Sequence, residues 1–124
     1  MQNRRRDVKV LIVEDELLLA MHLEDIITGL GSSTAGPVAR LDEALALIEE
    51  DDNISVAVLD VRLRDNQDVY RAAERLQGMG IPFILTTAYG SDEVDPRFSK
   101  VPVVKKPFTQ KELETKLRSV LRAR

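Results

Sequence analysis

The chain has 124 residues, of which 44% are hydrophobic and 31% are charged, and its formal net charge is −3. This composition is typical of one globular domain with a buried core, and the negative charge argues against nucleic acid as the main partner. The absence of cysteine excludes disulfides, thiol catalysis and zinc–thiolate sites. No apolar run is long enough for a signal peptide or a membrane span, so we predict a cytoplasmic protein without a membrane partner.

The first half of the chain alternates predicted strands with amphipathic helices. The apolar run Val8–Val13 predicts a buried strand, and apolar residues at helical spacing predict a helix over Glu16–Leu30. A short second strand is predicted over Ser33–Pro37. Leu41–Glu50 has one apolar face and predicts a second helix, and the nearly all-apolar Ile54–Leu59 predicts the third strand.

The second half continues this alternation, with one weak element. A helix is predicted over Asp68–Met79, and strands are predicted over Phe83–Thr86 and Val101–Val104. The polar stretch Gly90–Lys100 contains Pro96, which interrupts a helix unless it lies in the first turn. We therefore expect the fourth helix to be short or irregular.

The last helix has a well-marked start. Thr109 and Glu112 have the spacing of a capping box, and Phe108 before the cap is placed to pack on Leu113. Leu113 then begins an apolar face that continues to Leu121.

Five strand–helix repeats predict an α/β fold with a parallel sheet and helices on both of its faces. We expect a flavodoxin-like (βα)5 three-layer sandwich over residues 8–124, with strand order 2-1-3-4-5. Residues 1–7 carry three consecutive arginines and are predicted to be a flexible basic terminus. The alternative for this segment is an anion-binding arm or a targeting address.

Chemically active side chains follow four of the five predicted strands. In chain order they are Glu14 and Asp15, Asp60, Thr86 and Thr87, and Lys106. In this kind of fold, ligands bind beyond the carboxyl ends of the strands, near the point where the strand order reverses. We therefore expect these side chains to meet in one place.

Three clustered carboxylates repel one another, so such a site needs a cation or its pKa values rise. Oxygen ligands without His or Cys favour Mg²⁺, with Mn²⁺ as a substitute. A metal beside a carboxylate suits phosphoryl transfer, in which Asp60 can form an acyl phosphate. Lys106 would supply a positive charge to the phosphoryl oxygens, and Thr87 would supply a hydroxyl.

Each of these residues also has an ordinary structural explanation. An acidic pair such as Glu14-Asp15 favours a helix N-terminus, and an Asp such as Asp60 commonly occupies a turn or a cap. Thr is common in strands, and a Lys-Pro pair is common in loops. The joint occurrence at four strand ends is what favours the functional interpretation.

Four segments of the sequence resemble the motifs of response-regulator receiver domains. They are VLIVEDE, VLDVRL, PFILTTAYG and KKPFTQKEL, and the resemblance covers the chain from Lys9 to Leu121. It implies that Asp60 is the phosphoacceptor and that Asp15 is a direct magnesium ligand. Glu14 would act on the metal through water, and the backbone carbonyl of Arg62 would be the third protein ligand.

The resemblance also implies the parts of a conformational switch. Thr87 matches the switch hydroxyl and Lys106 the family's lysine, with Pro107 following a cis bond. Thr86 is then expected to face away from the site, and Lys105 is expected to face solvent.

The sequence departs from the common family pattern at the position three residues before the lysine. Many receivers have an aromatic residue there that rotates on activation, whereas this chain has Val103. The segment PFILTTAYG resembles instead the PFxFATGYG pattern of stand-alone alphaproteobacterial receivers, with Leu85, Thr86 and Ala88 replacing Phe, Ala and Gly.

The candidates for switching the site or tuning its lifetime are Arg62, Ala88, Tyr89 and Val103. We hypothesise that Tyr89 takes over part of the reporting role of the missing aromatic residue, the equal alternative being that it packs over its loop. By position, Arg62 and Tyr89 would also screen the acyl phosphate from water. The single histidine, His22, is predicted to be an ordinary surface or boundary residue.

The resemblance implies a phosphoacceptor switch that catalyses only its own phosphorylation and dephosphorylation. Its expected partners are a sensor histidine kinase, of the HWE or a related type, or a phosphotransfer protein. The downstream protein is expected to bind the face made by helix four, strand five and helix five. We expect a monomer or a weak dimer.

Three other classes of protein fit the sequence less well than a phosphoacceptor receiver does. A degenerate receiver would act only as an interaction module, but here every site position is filled. A magnesium-dependent phosphatase usually needs an acid two residues after its nucleophile, where this chain has Arg62. A flavodoxin-like cofactor carrier needs a phosphate loop after the first strand, where the acidic pair Glu14-Asp15 would repel phosphate.

Overall fold

A computed structural model describes residues 8–63 and 68–122, and the predicted basic terminus, residues 1–7, lies outside them. Within these ranges, the strands are β1 (Lys9–Val13), β2 (Ser33–Val38), β3 (Val56–Asp60), β4 (Phe83–Thr87) and β5 (Val103–Lys105). The α-helices are α1 (Leu17–Gly29), α2 (Leu41–Glu50), α3 (Tyr70–Gly78) and α4 (Gln110–Arg122). Two 3₁₀ turns, Ser91–Glu93 and Pro96–Phe98, lie between β4 and β5.

The five strands form one parallel sheet in the order β2-β1-β3-β4-β5, which confirms the predicted flavodoxin-like topology. The strand order reverses between β1 and β3, whose register pairs Val13 with Leu59. The carboxyl ends of these two strands therefore lie side by side. The predicted fourth helix is irregular, as expected, because the segment forms only the two 3₁₀ turns.

Alternate strand residues face two apolar layers. In β3, Ala57 and Leu59 belong to the layer under α2 and α3, whereas Val58 belongs to the layer under α1 and α4. All five residues of β3 are buried because helices cover both faces of the sheet. Each fully buried Leu or Ile side chain contributes about 1.5–3 kcal/mol relative to an exposed one. This rigid sheet holds the strand ends in fixed positions.

Several element boundaries differ from the predicted ones by one or two residues, and two of these differences, in β5 and β4, have local reasons. Strand β5 begins at Val103 rather than Val101, because Pro102 has no N–H to contribute to the sheet. Strand β4 extends one residue further than predicted, since Thr87 pairs with Lys105 in register. Both differences lie next to the site.

The predicted capping box of the last helix is confirmed. The Thr109 N–H donates to Glu112 Oε1 at 3.0 Å, and the Glu112 N–H donates back to Thr109 Oγ1 at 3.1 Å. Phe108 and Leu113 are buried in the same layer, as the staple requires. Helices α1 and α4 have 13 residues each, and among the described residues no helix is long and apolar enough to cross a membrane.

Candidate functional site

Three carboxylates converge beyond the carboxyl ends of β1 and β3. Glu14 and Asp15 follow β1 directly, and Asp60 is the last residue of β3. One oxygen from each of the three lies within 4.8 Å of the others. Glu14 and Asp60 are buried, with 2% and 4% of their surfaces exposed. The structure thus brings together the acidic residues that the strand order predicts.

Lys106 provides a positive charge in contact with this cluster. Its Nζ lies 3.1 Å from Asp60 Oδ2, to which it donates a hydrogen bond, and 3.0 Å from Glu14 Oε1. The Arg62 N–H donates to the other oxygen of Asp60, Oδ1, at 3.0 Å. Both Asp60 oxygens are therefore held by donors, which fixes the orientation of the carboxylate.

Burial and neighbouring charges shift the pKa values of two residues of the cluster. Burial, together with the nearby charge of Asp60, raises the pKa of Glu14 to about 7, although Lys106 and the Glu16 N–H act in the opposite direction. Burial lowers the pKa of Lys106, but the charges of Asp60 and Glu14 outweigh this and raise it above its ordinary value. Burial and the neighbouring carboxylate of Asp60 thus act against the ionised form of Glu14, and Lys106 partly offsets both.

The donor set fits a hard divalent cation. Side-chain oxygens of Glu14, Asp15 and Asp60 lie within reach of a shared ion, and the cluster contains no His or Cys. A cation would offset the mutual repulsion of these three carboxylates. The Arg62 peptide lies beside Asp60, as its N–H contact shows. Mg²⁺ at this position would be held by Asp15, Asp60 and the backbone carbonyl of Arg62, with Glu14 acting on it through water.

Asp15→Asn is expected to abolish stabilisation by Mg²⁺, because it removes one carboxylate ligand from the cluster. A ligand at ten times its Kd stabilises the folded state by about 1.4 kcal/mol, which corresponds to roughly 5 °C in Tm for a domain of this size. Thermal unfolding with and without Mg²⁺ measures this difference. Glu16→Gln is the matched control, since it removes the adjacent exposed carboxylate and should keep the Mg²⁺ response. An unchanged Mg²⁺ response in Asp15→Asn would contradict the metal site.

The hydroxyl of Thr87 lies in a second group of contacts at the end of β4. Thr87 is buried, and its hydroxyl donates a hydrogen bond to the carboxylate of Glu93. The Tyr89 N–H donates to the same hydroxyl at 3.1 Å. Glu93 Oε2 lies 2.9 Å from Arg62 Nε, and the Arg62 guanidinium lies over the Tyr89 ring, 5.5 Å from its centroid.

Glu93 contacts the Thr87 hydroxyl, and the sequence alone does not predict this contact. It lies in the polar segment between β4 and β5, where neither spacing nor apolar pattern separates it from the neighbouring Asp92. In the structure, Asp92 is exposed, whereas the Glu93 side chain is 9% exposed and points into the contacts of Thr87. Only the geometry of the turn Ser91–Glu93 distinguishes the two.

The other residues predicted at the site differ in how far they are exposed. Tyr89 is 68% exposed, Ala88 is exposed, and Val103 is partly buried against the layer under α2 and α3. Thr86 is buried, and its hydroxyl has no hydrogen-bond partner within the described parts of the chain.

Three smaller predictions are confirmed. Lys105 is exposed, and the Lys106–Pro107 peptide is cis. His22 is exposed, with its ring stacked 6.3 Å from that of Phe108, so it is a surface residue.

Comparison with known proteins identifies relatives over the whole fold. No protein-family model matches the chain. The solution structure of SdrG from Sphingomonas melonis is 41% identical, with a TM-score of 0.83 over 92% of this chain and 96% of that one. A structure of the BeF3-activated conformation of SdrG matches with 42% identity and a TM-score of 0.78, over 91% of this chain and 95% of that one.

Two further relatives are forms of PhyR. The response-regulator REC domain of PhyR from Erythrobacter litoralis is 29% identical, with a TM-score of 0.79 over 96% of this chain and 93% of that one. The phyllosphere-induced regulator PhyR from Methylorubrum extorquens is 30% identical over 106 residues, which are 81% of this chain. The chain spans only 38% of the length of that protein.

The fold, the cluster of acids at the strand ends and these similarities define a receiver domain of two-component signal transduction. The chain belongs to the response-regulator receiver family. Within that family it is similar to SdrG and to the receiver domain of PhyR.

Proposed function

We propose that the chain accepts a phosphoryl group on Asp60, with Mg²⁺ bound beside it. One observation supports this most directly. Asp60 is a buried carboxylate whose Oδ2 contacts the Lys106 ammonium at 3.1 Å, while two further carboxylates lie within 4.8 Å. A buried acid with an adjacent cation and metal-type ligands is suited to attack on phosphorus.

The proposed transfer moves a phosphoryl group from a phosphohistidine of a partner protein. An Asp60 oxygen attacks the phosphorus, a P–O bond forms, the P–N bond breaks, and the histidine nitrogen leaves with its electron pair. In the proposed reaction, Lys106 stabilises the developing negative charge on the phosphoryl oxygens, and Thr87 donates its hydroxyl to one of them. When bound, Mg²⁺ supplies positive charge to the same oxygens. The product is an acyl phosphate on Asp60.

Labelling with a small phosphodonor tests this proposal without the partner kinase. We expect incubation with acetyl phosphate and Mg²⁺ to add the mass of one phosphoryl group to the chain, measured by intact-mass spectrometry. With EDTA in place of Mg²⁺ the addition should be lost. Equal labelling in Mg²⁺ and in EDTA would contradict the role of the metal, and no labelling in either would contradict the proposed function.

The behaviour of a relative supports the same proposal. SdrG has a BeF3-activated conformation, and this chain is 42% identical to it. Beryllofluoride resembles a phosphoryl group in shape and charge. We therefore expect this chain also to bind beryllofluoride at Asp60.

The rival classes have less support from the contacts of the site. The position where a phosphatase would carry its second acid is occupied by Arg62, whose side chain pairs with Glu93. The position of a phosphate loop in a cofactor carrier is occupied by Glu14 and Asp15, which belong to the acidic cluster. A pure interaction module would not require Lys106 to contact both buried acids.

The proposed partner upstream is a histidine kinase, of the HWE or a related type, or a phosphotransfer protein. Leu17, Leu18 and Met21 are exposed in the first turns of α1, which begins two residues after Asp15. Exposed apolar groups beside a reactive site are typical of protein-binding surfaces. These side chains are therefore suited to contact the protein that carries the phosphohistidine.

The proposed partner downstream binds the face made by the 3₁₀ turns, β5 and α4, which correspond to the predicted helix four, strand five and helix five. Strand β5 is an edge of the sheet, and it follows directly on the loop that carries Glu93. A change at Thr87 is therefore close to that face. Cytoplasmic location and a monomer or weak dimer stay predictions.

A further inference from the structure

The Thr87 hydroxyl is already occupied in the unphosphorylated chain. It has a single proton, which it donates to the Glu93 carboxylate, and it accepts the Tyr89 N–H at 3.1 Å. Under the proposed function, the same proton is needed by a phosphoryl oxygen on Asp60. One proton cannot serve both acceptors, so the two anions compete for Thr87.

Glu93 is held at Thr87 by more than this hydrogen bond. Its Oε2 pairs with Arg62 Nε at 2.9 Å, and its side chain is 9% exposed although it lies in a polar loop. Arg62 is the second residue after Asp60, and its own N–H donates to Asp60 Oδ1 at 3.0 Å. Glu93 therefore connects the loop after β4 to the residue Arg62, which follows β3 and lies next to the proposed phosphoacceptor Asp60.

We propose that Glu93 is a resting-state latch: its carboxylate occupies the Thr87 hydroxyl until a phosphoryl group on Asp60 displaces it. This inference rests on the function proposed above. A phosphoryl group carries a charge of about −2 and strong acceptor oxygens, so it outcompetes the carboxylate for Thr87 and repels it. Displacement of Glu93 also breaks its pair with Arg62. The turn Ser91–Glu93 then loses its contacts with Thr87 and Arg62. The change in its position is passed to the segment that leads to β5.

The latch predicts that removing the charge of Glu93 tightens binding of a phosphoryl analogue. Glu93→Gln keeps the size of the side chain but is a weaker acceptor for Thr87 and loses the ion pair with Arg62. We expect Glu93→Gln to bind beryllofluoride about tenfold more tightly than wild type, since one charge-assisted contact no longer has to be broken. Asp92→Asn is the matched control, because it removes one exposed charge from the same turn and should change the affinity by less than about twofold.

The experiment is a beryllofluoride titration in Mg²⁺, followed by ¹⁵N amide resonances, on wild type, Glu93→Gln and Asp92→Asn. The ¹⁵N–¹H resonance of Tyr89 is sensitive to the hydrogen bonding of the Thr87 hydroxyl, because the Tyr89 N–H donates to Thr87 Oγ1. In Glu93→Gln without beryllofluoride, we expect this resonance to move toward its position in the beryllofluoride-bound wild type.

The outcomes separate the latch from the proposed function. Wild type that binds beryllofluoride, with Glu93→Gln equal or weaker, would overturn the latch and leave phosphoryl acceptance intact. Equal tightening in Glu93→Gln and Asp92→Asn would also overturn it, because the effect would then be general electrostatics. If neither wild type nor Glu93→Gln binds beryllofluoride in Mg²⁺, the proposed function itself fails.

Discussion

Asp60→Asn is expected to abolish phosphorylation by acetyl phosphate, because an amide lacks the nucleophilic oxygen that forms an acyl phosphate. Asn matches the shape of Asp, so the sheet around this buried residue should be preserved. Intact-mass spectrometry after incubation with acetyl phosphate and Mg²⁺ should show no added phosphoryl group in the variant and one in wild type. A melting curve for each protein shows that both are folded.

Asp25→Asn is the matched control for this experiment, because it removes an exposed carboxylate from α1 at a distance along the chain from the cluster. It should label as wild type does. Undiminished labelling of Asp60→Asn would mean that another residue accepts the phosphoryl group.

Lys106→Met is expected to lower the free energy of unfolding by about 3 kcal/mol in the absence of Mg²⁺. The substitution removes the ammonium that contacts Asp60 Oδ2 at 3.1 Å and Glu14 Oε1 at 3.0 Å, and it leaves two buried carboxylates facing each other. Mg²⁺ should restore part of the lost stability, because the ion replaces the missing positive charge. Urea unfolding with and without Mg²⁺ measures both effects.

The neighbouring Lys105 offers a control of the same charge. It is exposed, so Lys105→Met should change stability by less than about 0.5 kcal/mol. If Lys106→Met and Lys105→Met lost equal stability, Lys106 would not be compensating the charges of Glu14 and Asp60.

The framework of the fold could be predicted because its determinants are local. Buried runs such as Ile54–Leu59 and the capping pair Thr109 and Glu112 each specify one element without reference to the rest of the chain. Parallel strands then bring their carboxyl ends to one edge, which is why Glu14, Asp15 and Asp60 could be placed together before the structure was known. The functional roles of these residues stay predictions.

Features that depend on the exact path of a loop could not be predicted. The contact between Glu93 and Thr87 requires the turn Ser91–Glu93, and a polar loop sequence does not specify which of its acids turns inward. The contact between Tyr89 and Arg62 could not be predicted either. The exposed ring of Tyr89 lies under the Arg62 guanidinium, a contact that depends on the paths of the two loops that carry these residues.

Chemical trapping of the phosphorylated residue tests the central claim most directly. Borohydride reduces an aspartyl phosphate to homoserine, which peptide mass spectrometry locates in the sequence. After treatment with acetyl phosphate and Mg²⁺, we predict homoserine at position 60 in the peptide that contains the end of β3. Homoserine at any other acidic position, or none in a protein that has gained phosphoryl mass, would contradict the assignment of Asp60 as the acceptor.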